Sequence, residues 1–102
     1  MVKHIVMWKL IDSYEGKNKV ENSRIIKEKI EALKAIIPQI KEVEVGININ
    51  SSDAAYDLCL YSVFDSREDL DIYQNHPEHQ KVAAFVAKVK IQRTVCDYQI
   101  DS

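Results

Sequence analysis

Tyr73 and His79 stand six residues apart in the segment Tyr73-Gln74-Asn75-His76-Pro77-Glu78-His79. A phenol beside an imidazole pairs a hydrogen-bond donor with a base. An imidazole titrates near neutral pH, so it can take a proton made acidic by a neighbouring carbonyl. The phenol can then hydrogen-bond the enolate oxygen that develops. His4 is a third group of this kind, in Val2-Lys3-His4-Ile5-Val6-Met7-Trp8. Inward histidines and tyrosines also serve as hydrogen-bonded core residues, and the pattern leaves both roles open. His76, next to Pro77, suits the structural role, because its ring can satisfy backbone groups freed at a helix break. His76 and His79 have no third ligand at a recognised spacing, whereas catalytic zinc takes three protein ligands, so no metal site is expected. No serine sits in a GxSxG context, and with only 2 Gly in the chain no Gly-rich phosphate loop can be written.

These side chains must be carried by regular elements, and the scarcity of Gly and Pro (2 each) favours long ones. Residues 2–11 read as a strand with His4, Val6, Trp8 and Leu10 on one face and Ile5, Met7 and Ile11 on the other. A polar loop with Gly16 follows. A helix is expected over about 20–37, with Ile26, Ile30, Leu33 and Ile37 as its stripe, stopped by Pro38. Residues 41–50 alternate cleanly and read as an edge-like strand, in which Gly46 suggests a bulge or a close backbone approach. A third strand over 55–64 is apolar on both faces. Ser66 can cap a short helix carrying Leu70 and Tyr73. Pro77 can open a second helix in which His79 extends the stripe of Val82, Phe85, Val86 and Val89. A last strand covers 92–100.

The order is β-α-β-β-α-α-β: α+β, a ferredoxin-like plan with a four-stranded antiparallel sheet and a broken second helix. One domain is expected over residues 1–102. Helices cover one sheet face, so Tyr73, His79 and His4 can converge in one pocket between helices and sheet. The other face is bare, yet the first and third strands are apolar on both sides. A second copy of the chain is its natural cover, which predicts a homodimer through the open face. The third and fourth strands flank the first, so Cys59 and Cys96 lie two spacings of about 4.8 Å apart. That exceeds the roughly 7 Å limit for a disulfide, and both read as small buried residues. A net charge of −2 with intermingled acids and bases speaks against nucleic acid and suits the pairing of like chains. No apolar run reaches the roughly 18 residues of a membrane helix. No signal-peptide core is evident, and a cytoplasmic, reduced protein is expected.

The chain resembles the stress-responsive α/β-barrel (Dabb) family. The resemblance is carried by Val2-Lys3-His4-Ile5-Val6-Met7-Trp8-Lys9, Ile37-Pro38-Gln39-Ile40-Lys41, Val45-Gly46, and Ala55-Tyr56-Asp57-Leu58. It continues in Phe64-Asp65-Ser66-Arg67-Glu68-Asp69-Leu70, the Tyr-x-x-His-Pro-x-His segment, Phe85-Val86 and Asp97-Tyr98. It implies a dimeric α+β barrel with two facing sheets. Many members have no assigned activity. Plant polyketide cyclases such as olivetolic acid cyclase use a tyrosine and a histidine of this segment for aldol ring closure, which would make Tyr73 and His79 the catalytic pair. His4 matches a further pocket histidine. Leu58 stands where the cyclase has another, and with Trp8 it completes the expected ligand-binding set. A small apolar or phenolic ligand and no cofactor follow, Mg²⁺ held by main-chain carbonyls being the alternative. Related dimeric barrels include cofactor-independent monooxygenases, which makes oxygenase chemistry a further alternative.

Overall fold

Alternation in the first ten residues is met by alternation in burial. In the computed structural model, which describes residues 1–101, β1 (Val2–Leu10) buries Val2, His4, Val6, Trp8 and Leu10, while Met7 on the opposite face is exposed. A two-residue turn then joins β2 (Ser13–Tyr14) to β3 (Lys17–Asn18), a small hairpin where a plain loop was expected. Glu15 and Gly16 both take positive φ, 51° and 75°, which is the requirement of a tight two-residue hairpin turn.

Asn18 closes a reciprocal capping box with Glu21 and starts α1 (Lys19–Glu31). The expected long helix tightens into a 3-10 turn over Ala32–Ala35. There Ile36 and Ile37 both bond back to the Leu33 carbonyl, satisfying the last helical groups before Pro38. β4 (Glu42–Ile47) and β5 (Leu58–Phe64) are shorter than the sequence suggests. Asn48 and Asn50 each accept a backbone bond from two residues on, and these side-chain turns end β4 early.

Ser66 caps α2 (Arg67–Asn75), as its type predicts. His76 ends that helix and caps α3 (Pro77–Val89), with Pro77 at the first position. β6 (Lys90–Gln99) closes an antiparallel sheet of order β4-β5-β1-β6. This is the ferredoxin-like arrangement that the element order implies. Ile26, Ile30, Val86 and Val89 pack on Val6, Trp8, Leu10 and Leu60. Tyr73 and Leu70 pack on Val2, Phe64 and Ile37.

Two expectations fail for one reason. Cys59 is half-buried and Cys96 exposed, not buried, because they stand opposite Met7 and Ile5 on the face that no helix covers. Gly46, opposite Cys59, shows no bulge, and a Cβ there would meet nothing within 4 Å. The irregularity lies in β6 instead. Lys9 faces Gln92 while Leu10 faces Lys90, so Ile91 is an extra residue and the strand bulges.

Candidate functional site

The broken helix fixes the His79 ring. In an unbroken helix the Gln74 carbonyl would accept from the Glu78 N–H. Here Pro77 interrupts the run, and Glu78 N–H donates to His76 Nδ1 at 3.1 Å. The freed Gln74 carbonyl takes the His79 ring at Nδ1, 3.1 Å away. A carbonyl oxygen only accepts, so Nδ1 carries the hydrogen, and in the neutral ring Nε2 keeps its lone pair. Burial pushes the His79 pKa below its ordinary value, with His4, Arg93 and His76 adding to the effect against the opposing Gln74 bond. The ring is therefore neutral at pH 7 and able to accept a proton.

Tyr73 lies 4.4 Å from His79, ring to ring, and 5.0 Å from Phe64. It is 1% exposed, and burial pushes its pKa up to about 12 with no hydrogen bond contributing. No fully enclosed side-chain polar atom lacks a partner among the described residues, so the unpartnered hydroxyl opens on a cavity rather than on packed protein. It stays protonated at neutral pH as a donor. His4, 6.3 Å from Tyr73, bonds through Nδ1 to Asp97 Oδ1 at 2.5 Å. Two imidazoles thus flank one phenol, each held through Nδ1.

These groups share a cavity of about 260 Å³ between α2, α3 and the sheet, just under the roughly 300–1,000 Å³ of ordinary ligand pockets. Val6, Trp8, Leu60, Val82 and Val86 give it an apolar wall. Trp8 is fixed from outside: Asp57 N–H donates to its carbonyl, and the Asp57 carboxylate accepts from Leu10 N–H. A wider depression of about 350 Å³ lies beyond Gln74, lined by Arg67, Asp71 and Asp97 among others. It contains neither His79 nor Tyr73, which both line the smaller cavity.

Of the residues singled out in the sequence, Tyr73, His79, His4 and Trp8 meet at this cavity. Leu58 does not. It pairs with Trp8 across the ladder and packs in the core, outside the residues that line the cavity. Gln74, Lys90 and Arg93 line the cavity without having been singled out. Arg93 shares its parity with Val95 and Asp97, a signal that was available; Lys90 reaches this face only through the bulge. No group of three or more His, Cys, Asp or Glu that could hold a metal is present among the described residues, nor any helix long and apolar enough to cross a membrane.

The pattern of the Stress responsive A/B Barrel Domain family (Dabb) matches residues 2–100. A solved structure from Bacteroides fragilis, described as a dimeric protein of unknown function with a ferredoxin-like fold, is similar at 39% identity. It covers 97% of this chain and 95% of its own, with a TM-score of 0.86. The hydroxynitrile lyase of Passiflora edulis is similar at 20% identity, over 98% and 93% of the two chains, with a TM-score of 0.80. An antibiotic biosynthesis monooxygenase superposes over 100% of both chains at 14% identity and a TM-score of 0.69. At such identities the last two share the fold alone. No curated protein matches the chain.

Proposed function

The chain belongs to the Stress responsive A/B Barrel Domain family, and from that premise we propose that its cavity binds a small, partly apolar carbonyl compound and removes a proton beside the carbonyl. His79 Nε2 is the base. Tyr73 donates its hydroxyl to the oxygen on which the enolate charge develops, and the carbanion carbon is then free to attack a second carbonyl, an aldol step. The chemistry calls on no cofactor. One observation carries the reading: a base with its tautomer set by Gln74 lies 4.4 Å, ring to ring, from a phenol whose hydroxyl has no hydrogen-bond partner among the described residues. We also infer that two copies pair through the open sheet face, where Met7 is 36% exposed and Cys96 lies bare. The dimeric description of the Bacteroides fragilis relative supports that pairing.

The test is exchange of α-hydrogens for deuterium in small methyl ketones and β-keto compounds, followed by proton NMR. His79→Ala should lose roughly 10²–10⁴-fold in exchange rate, the usual worth of a positioned base. Tyr73→Phe should lose about 10²–10³-fold, as removal of an oxyanion donor does. Thermal stabilisation by these ligands without exchange would leave a binding module and remove the catalytic reading. The same base could instead deprotonate a cyanohydrin hydroxyl, whose C–CN bond then breaks to give carbonyl and cyanide. The Passiflora edulis neighbour favours including that reaction, and a cyanide-release assay separates it. Oxygen uptake with phenols separates the monooxygenase alternative.

A further inference from the structure

The cavity's formal charges are of one sign. Lys90 and Arg93 line it, and no Asp or Glu does. Neither cation takes part in any ion pair among the described residues. The nearest acid on the same strand face is Asp97, which already accepts from His4. Strand geometry shows that their convergence is built in. Arg93 stands opposite Trp8, on the helix-covered face. Lys90 is three residues earlier, so in a regular strand it would point to the other face. The extra residue at Ile91 restores it to the face of Leu10 and Trp8, the re-aiming of a side chain that bulges perform.

We propose that the cavity is specific for a small carboxylate, its charged end on Arg93 and Lys90 and its apolar body against Val6, Trp8 and Val82. This rests on the reading of the cavity as a small-molecule site and names the class of molecule. A guanidinium presents a planar fork that matches a carboxylate, and the apolar wall takes the rest of the molecule while Arg93 stands at the exposed rim. A carbonyl compound that also carries a carboxylate would meet both halves of the site. Lys90 has a second role open to it, because it follows the C-terminus of α3 and complements that helix end. Arg93 has no such role, which makes it the diagnostic residue.

Trp8 is the chain's only tryptophan and lines the cavity, so its indole N–H resonance reports occupancy without assignment of the whole spectrum. The probes are benzoate and its neutral counterpart benzamide, titrated into the intact protein. Benzoate should bind at least about tenfold more tightly, equivalent to 1.4 kcal/mol. Arg93→Ala should bring the two probes to within about twofold of each other by weakening benzoate alone, as loss of a charge-assisted bond requires. Arg93→Lys should retain part of the preference. Equal binding of both probes to the wild type, or a preference that survives in Arg93→Ala and in the double variant with Lys90→Ala, overturns the carboxylate assignment and leaves the small-molecule reading intact. An indole resonance unmoved by either probe overturns both.

Discussion

Replacing Tyr73 by Phe should separate function from stability, and the structure gives the size of each effect. The ring packs on Phe64 and His79 at 5.0 and 4.4 Å, and phenylalanine keeps both contacts. The hydroxyl has no partner among the described residues, so its removal forfeits none of the roughly 0.5–1.5 kcal/mol that a protein hydrogen bond contributes. It also relieves the burial that drives the phenol's pKa to about 12. Stability should therefore stay within about 0.5 kcal/mol of the wild type. Tyr73→Ala, by contrast, leaves an aromatic-sized void and should cost about 3–5 kcal/mol. At a urea slope near 1.5 kcal/mol/M, the midpoint moves by less than about 0.4 M for Phe and by roughly 2–3 M for Ala. Circular dichroism at one fixed protein concentration is the assay, since association would make the midpoint concentration-dependent. In the same Phe variant, binding of a carbonyl ligand should weaken about three- to tenfold through the lost donor. A loss of about 1.5 kcal/mol or more in Tyr73→Phe would mean that the hydroxyl holds the fold together, and would refute its placement as a free donor.

His79 should titrate below 6.5 by NMR, because burial depresses its pKa. Between that folded value and 6.5 the unfolded chain holds more protons, so the His79 contribution to stability is full above 6.5 and is lost as pH falls through the folded pKa. A midpoint above 6.5, or an unchanged acid limb in His79→Ala, contradicts the assignment. Met7→Lys removes an apolar side chain worth about 1.5–3 kcal/mol when buried and puts like charges face to face. Light scattering should then show a monomer where the wild type is a dimer, whereas a monomeric wild type at micromolar concentration rejects the open-face pairing. His76→Ala deprives the Glu78 N–H of its acceptor and lets it compete for the Gln74 carbonyl. The nitrogen shifts of His79 should then report a mixed tautomer, and a pure Nδ1–H form would show that the break at Pro77 fixes the ring without His76.

The parts of this arrangement that were legible in the sequence are those set by local periodicity. Parity along β1 places His4 and Trp8 on the helix-covered face, and a step of three from Leu70 turns Tyr73 inward. The stripe through Val82 and Val86 does the same for His79. What was not legible depends on partners distant in the chain. The cysteines alternate like core residues, and only the absence of a helix over their face leaves them uncovered. Leu58 has the right parity for the pocket, yet it lies outside the cavity lining while its ladder partner Trp8 lies within it. Lys90 was hidden most deeply, because a one-residue bulge inverts every parity argument on its far side.

The contrast bears on how one fold can host different chemistry. The break at Pro77 turns a helical carbonyl into the acceptor that fixes a base, and it does so within one short segment of chain. That device is local, since both bonds lie within residues 74–79. The cations are set otherwise, by register between β1 and β6, and an insertion or deletion in either strand would remove Lys90 from the cavity without touching the base. The setting of the His79 ring and the placement of the two cations are therefore specified by separable parts of the sequence. In the proposed reading, Tyr73 and His79 carry the proton transfer, whereas Lys90 and Arg93 select the molecule on which it acts.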